Sequence, residues 1–123
     1  MAAAPRVLVV DGARAVRAAL DACLHGEFDV RQEGDGEAAW QALVLDQSIR
    51  IVVAGTDLPR MDGFQLLERI RASKLRRLRQ MPVVFLVEAD ADEVRSRAQA
   101  LGVSDFLLWG GAAPELSGSG TSV

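Results

Sequence analysis

Short apolar runs alternate with helical stripes along the chain. Val7-Leu8-Val9-Val10, Ile51-Val52-Val53-Ala54, Val83 to Val87 and Phe106-Leu107-Leu108-Trp109 are continuous apolar runs, as in strands buried on both faces. Phe28 to Gln32 is weaker and more polar, which predicts a strand at a sheet edge. From about Ala13 to Leu24 a helical stripe carries Val16, Leu20 and Leu24 one turn apart, with Gly26 closing it. Asp35 is placed to cap a second helix reaching about Leu45, with Ala39, Trp40, Leu43 and Val44 on its apolar side. A loop from Gly55 to Met61 contains Pro59, and Asp62 caps a third helix that turns Leu66, Leu67 and Ile70 inward. Pro82 introduces the fourth strand. Asp90 and Glu93 have the spacing of a capping box ahead of Val94, Ala98 and Leu101, and Gly102 ends that helix.

Strands alternating with helices predict a parallel sheet covered on both faces, a three-layer α/β/α sandwich. A common order for five such strands is 2-1-3-4-5, with the ligand site at the carboxyl ends of the strands where the order switches. The positions to inspect are therefore Asp11 and Gly12, Gly55, Val87 and Glu88, and Trp109 with Gly110. After Trp109 the composition changes to Gly, Ser, Ala and Thr, with Glu115 as the one charge. This divides the chain into a domain over 1–110 and a flexible tail or linker over 111–123. Ala113-Pro114-Glu115-Leu116 allows at most one helical turn, so the fifth helix is expected to be missing or truncated.

The chain has 123 residues, a formal charge of −3 and 25% charged residues, which fits one globular domain and argues against a nucleic-acid or membrane-surface protein as a whole. Its apolar runs fall far short of a membrane span. The single cysteine, Cys23, excludes an internal disulfide and a cysteine-based zinc site, fits a reducing cytoplasm, and is expected to be a small buried hydrophobe. His25 stands alone at the end of the first helix, without the partners that metal binding or catalysis needs. Arg69, Arg71, Lys74, Arg76, Arg77 and Arg79 form a basic cluster that reads as a solvated helix end.

Leu58-Pro59-Arg60-Met61-Asp62-Gly63 matches the Leu-Pro-x-Met-Asp-Gly loop of the receiver domains of two-component response regulators. With Val9-Val10-Asp11, Asp35-Gly36-Glu37-Ala38-Ala39, Pro82-Val83-Val84 and Leu101 to Phe106 at the same spacing, residues 6 to 110 resemble that family. The resemblance implies a flavodoxin-like receiver fold and a role in two-component (phosphorelay) signal transduction in a bacterial cytoplasm.

The family's chemistry uses an acceptor aspartate after strand three, two acids for magnesium after strand one, a hydroxyl after strand four and a lysine after strand five. Carried onto this chain, the acceptor falls at Gly55, the second acid at Gly12, the hydroxyl at Val87 and the lysine at Trp109, leaving Asp11 as the one matching group. The resemblance thus implies a pseudo-receiver with a vestigial phosphorylation pocket of Asp11, Gly12, Gly55, Val87 and Trp109. No catalytic residue, no metal site and no magnesium or other cofactor is expected. Trp109 is expected to fold over this pocket, with its indole nitrogen toward Asp11. Its expected partners are another protein or the output domain of a larger regulator, and a second copy docking on an uncovered face beside the first helix. Nucleic acid is not expected. The alternatives are a working receiver that uses Asp57 with magnesium, and a small-ligand sensor using the switch-point pocket.

Overall fold

The computed structural model describes residues 4–109 and 114–116. The elements run β1 (Arg6–Val10), α1 (Arg14–Leu24), β2 (Asp29–Glu33), α2 (Gly36–Leu45), β3 (Ile49–Gly55), α3 (Gly63–Arg71), α4 (Arg76–Arg79), β4 (Val83–Val87), α5 (Asp92–Ala100), β5 (Asp105–Trp109) and β6 (Pro114–Leu116). The five parallel strands take the order 2-1-3-4-5, as the alternation predicts. β2 is the edge, and its polar character follows from that position.

Side chains alternate across the sheet. Leu8, Val10, Val52, Ala54, Phe85 and Val87 point into the larger core under α2, α3 and α5. Val7, Val9, Val53, Val84 and Leu86 point the other way, toward Leu20 of α1. At the opposite end from the strand tips, Arg6 and Arg31 reach Asp46 at 2.8 and 3.3 Å. Hydrogen bonds from Ser48 and Arg6 hold the Asp46 carboxyl far below its ordinary range. The support it gives is full above that range and is lost as acid protonates it.

The caps divide into two kinds. Asp35 Oδ1 accepts the Ala38 N–H at 2.7 Å, and Asp62 Oδ1 accepts the Gln65 N–H at 2.8 Å while Gln65 returns a bond to the Asp62 N–H. Asp90 does not cap α5. The N-cap is Ala91, which has no side-chain oxygen to offer. Gly102 ends α5 with φ +92°, the left-handed region that suits glycine. After α1 the C-cap is His25, and Gly26 follows it without the positive φ that Gly102 has, so it does not close the helix in the left-handed conformation.

Three further expectations change. Pro114–Leu116, read as part of a flexible tail, pairs antiparallel with β5, Trp109 opposite Pro114 and Leu107 opposite Leu116. Backbone pairing with an open edge thus overrides weak local propensity. The rest of the 111–123 tail lies outside the described residues. Among the described residues no helix follows β5. The sheet face beside α1 is nevertheless not an exposed apolar patch: Val84 and Leu86 are only 9% exposed, with Leu24, Phe28 and Trp109 packed against that cluster. The face on which a second copy was expected to dock is therefore mostly buried within the chain. Cys23 is exposed, not buried; it sits in the last turn of α1, off the Val16–Leu20–Leu24 stripe.

Candidate functional site

Four of the five pocket residues meet at the carboxyl ends of the strands. Asp11 follows β1, Gly55 ends β3, Val87 ends β4 and Trp109 ends β5. They line a cleft of about 440 Å³ together with Val16, Thr56, Asp57, Leu86, Glu88, Ala91 and Val94. Gly12 is not on that lining. It is exposed, and a Cβ there would stand 3.2 Å from Pro59 Cδ.

Asp11 is fixed from two sides. Its Oδ1 accepts the Ala13 N–H at 2.8 Å, which closes the turn into α1. Its backbone carbonyl accepts from Arg17 Nη1 at 2.7 Å. The other carboxylate oxygen, Oδ2, leans over Gly55 and lies in the space where a side chain at position 55 would begin. Asp11 therefore occupies room that the glycine leaves.

Trp109 does not close over the site. The ring is half-buried and packs on the apolar cluster of Val7, Val9, Val53 and Leu86, forming one wall of an open cleft. Among the described residues no hydrogen bond joins it to Asp11. The reason is local: the space beside Gly55 already holds the Asp11 carboxylate, and the flat ring gains more by packing against valine and leucine. Asp57 is exposed on the rim, as is Glu88. Among the described residues no three His, Cys, Asp or Glu side chains gather as a metal site. His25 lies far along α1 with Nδ1 3.0 Å from the Asp21 carbonyl oxygen.

Sequence reasoning missed Thr56 and Arg17. Thr56 brings the one hydroxyl to the cleft lining, but follows strand three rather than strand four, so no pattern pointed to it. Arg17 carried a signal: a cation in the first turn of a helix opposes the dipole, so its presence implies a specific acceptor.

The loop that leads from this cleft into α3, with the capping box at Asp62 and the left-handed turn at Arg60 (φ +69°), lies within a wider match. A sequence model of the response regulator receiver domain family matches residues 7–116. The chain is a receiver domain. It is 29% identical over 106 residues to the two-component response regulator ORR5 of Oryza sativa subsp. japonica, covering 85% of this chain and 78% of that protein. A response regulator receiver protein from Pseudomonas putida superposes with a TM-score of 0.76 at 28% identity, covering 88% of each chain. The chemotaxis response regulator CheY4 of Vibrio cholerae has the same fold, with a TM-score of 0.77 at 20% identity over 88% of each chain. The chain is thus a receiver domain of two-component signalling. No helix among the described residues is long and apolar enough to cross a membrane.

Proposed function

We propose that this receiver domain signals by protein contact in the cytoplasm, without phosphorylation, catalysis or magnesium. The observation that carries the reading is at Gly55. This residue stands four places before Pro59, where the family carries its acceptor aspartate, and the Asp11 carboxylate occupies the space its side chain would need. Without a nucleophile the phosphoryl group has nothing to bond to, and positioning plus charge stabilisation is the remainder of this chemistry.

The other positions point the same way. Val87 can neither donate nor accept, and Trp109 brings no charge to the place of the lysine. Hydrogen bonds to a charged group contribute about 1.5–3 kcal/mol each, so an anion in this cleft would lack its main supports. Magnesium prefers a rigid octahedron of oxygen ligands. Here one oxygen of Asp11 already accepts the Ala13 N–H, and Gly12 offers no second carboxylate beside it. The residues do not fit the ion. The partner on this reading is another protein or the output domain of a larger regulator.

The test is intact mass after incubation with acetyl phosphate and magnesium. The expected result is no stable gain of one phosphoryl mass. A stoichiometric adduct would overturn the proposal, and its loss in Asp57→Asn would assign the acceptor to that rim aspartate.

A further inference from the structure

Residues 69–82 carry six Lys or Arg and no acid, although the chain as a whole is at −3. A solvated helix end was the expectation, but most of these guanidinium groups are engaged. Arg71 donates to the carbonyls of Gly102, Arg79 and Met81. Arg79 donates to those of Ser73 and Lys74. Arg69 stands 4.7 Å over the Trp40 ring. All these partners are neutral, so the charge remains. Among the described residues, none of the six cations has a carboxylate within ion-pairing distance.

Arg77 decides the shape of this surface. It donates to the Leu43 and Val44 carbonyls at 2.9 and 3.1 Å, which ties α4 to the last turn of α2. Leu75 precedes α4, and Val44 and Leu45 end α2, the two segments that Arg77 joins. These three are the large apolar side chains that stand exposed among the described residues, at 53%, 39% and 81%. Exposed Lys74 and Arg76 adjoin Leu75 in the chain, and exposed Arg79 ends α4. The nearest acids along the chain are Glu68 and Asp46, and Asp46 is held by Arg6 and Arg31. An apolar patch with a polar rim is the usual form of an interaction site.

We propose that the α2–α4 corner is a docking surface for an acidic amphipathic segment of a partner protein. The segment's apolar side chains seat on Leu45 and Leu75, and its carboxylates face Lys74, Arg76 and Arg79. The inference deepens the protein-contact reading by naming a surface and a partner chemistry, and it lies outside the cleft. Charge complementarity selects the partner's sign. The leucines select protein over nucleic acid, since phosphates gain nothing from them. The aromatic ring here, Trp40, is half-buried under Arg69 and offers no open stacking platform.

A random 16-residue peptide library displayed on phage and selected against the whole chain tests this. Enriched peptides should interleave Asp or Glu with Leu, Phe or Trp. By fluorescence anisotropy their Kd should weaken at least tenfold for Leu45→Ser and for Lys74→Glu/Arg76→Glu, and should be unmoved by Val16→Ala in the cleft. Both surface variants change exposed side chains, and unchanged melting curves would confirm that they fold. No enrichment, enrichment of neutral or basic peptides, binding indifferent to these variants, or tighter binding of a 20-base-pair DNA duplex at the same residues would overturn it. The phosphodonor experiment leaves this result untouched, so the two readings fail separately.

Discussion

Gly55 and Thr56 adjoin residues 58–63 in the chain, yet the two stretches are held by different things. The loop is held by packing. Leu58 and Met61 are buried in the larger core, Asp62 and Gln65 close a reciprocal cap, and a Cβ on Gly63 would strike the backbone of Gly55 and Thr56. Gly36, at the start of α2, lies as close against the Met61 carbonyl. The cleft beside them is lined by side chains that meet open space or a movable neighbour. A residue kept for packing is needed whatever the domain signals. A residue kept for chemistry is needed only while that chemistry is used. On the proposed reading, the receiver signature survives in the loop and is thinned out at the strand ends.

The sharpest way to break this comparison is Gly36→Ala. The added carbon would overlap the Met61 carbonyl oxygen and carbon, both backbone atoms that cannot swing aside. Overpacking a fixed site costs typically 1–3 kcal/mol, and the close approach here places the loss at about 3 kcal/mol. Urea unfolding reads this directly. A loss below about 1 kcal/mol would mean that the loop yields, and that packing is not what holds it.

Asp62→Ala is the next step down. It removes the acceptor for the Gln65 N–H, at 2.8 Å, and leaves Gln65 to bond the backbone alone. Loss of such a cap costs about 1 kcal/mol. The same urea series should show that loss with an unchanged slope. No change at all would show that the Asp62 side chain adds nothing beyond the bonds to its backbone.

Much of this was legible from residue order because it rests on local or periodic rules. The strand runs, the caps at Asp35 and Asp62, and the inward Leu66, Leu67 and Ile70 each follow from a few adjacent residues. The parts that were not legible depend on distant partners. Pro114–Leu116 becomes a strand because β5 offers an edge, not because of its own three residues. The four-residue α4 has no period to read, since Leu78 is its single buried side chain. Asp90 looked like a cap, but the N-cap falls one residue later, at Ala91. At the candidate site the sequence named Asp11, Gly55, Val87 and Trp109 correctly as neighbours. It could not say that Asp11 would lean over Gly55, or that Trp109 would prefer the apolar wall to the opening. Those outcomes compare two packings of the same atoms, and no local pattern encodes them.

Gly55→Ala should have the smallest effect, and it is the counterpart that gives Gly36→Ala its meaning. Both glycines stand where a Cβ would collide. At Gly36 the obstacle is backbone, whereas at Gly55 it is the Asp11 carboxylate, the far end of a side chain that can rotate toward the cleft. Rotation gives up a favourable position for Asp11 and risks its bond to the Ala13 N–H, which is partly exposed and can take water instead. Against that, alanine within a strand recovers about 0.5–1 kcal/mol that glycine loses to backbone entropy. The two terms oppose and should nearly cancel, leaving a change within about 0.5 kcal/mol of zero. A urea midpoint as far displaced as in Gly36→Ala would show Asp11 to be locked in place, and the strand ends would then be as firmly packed as the loop.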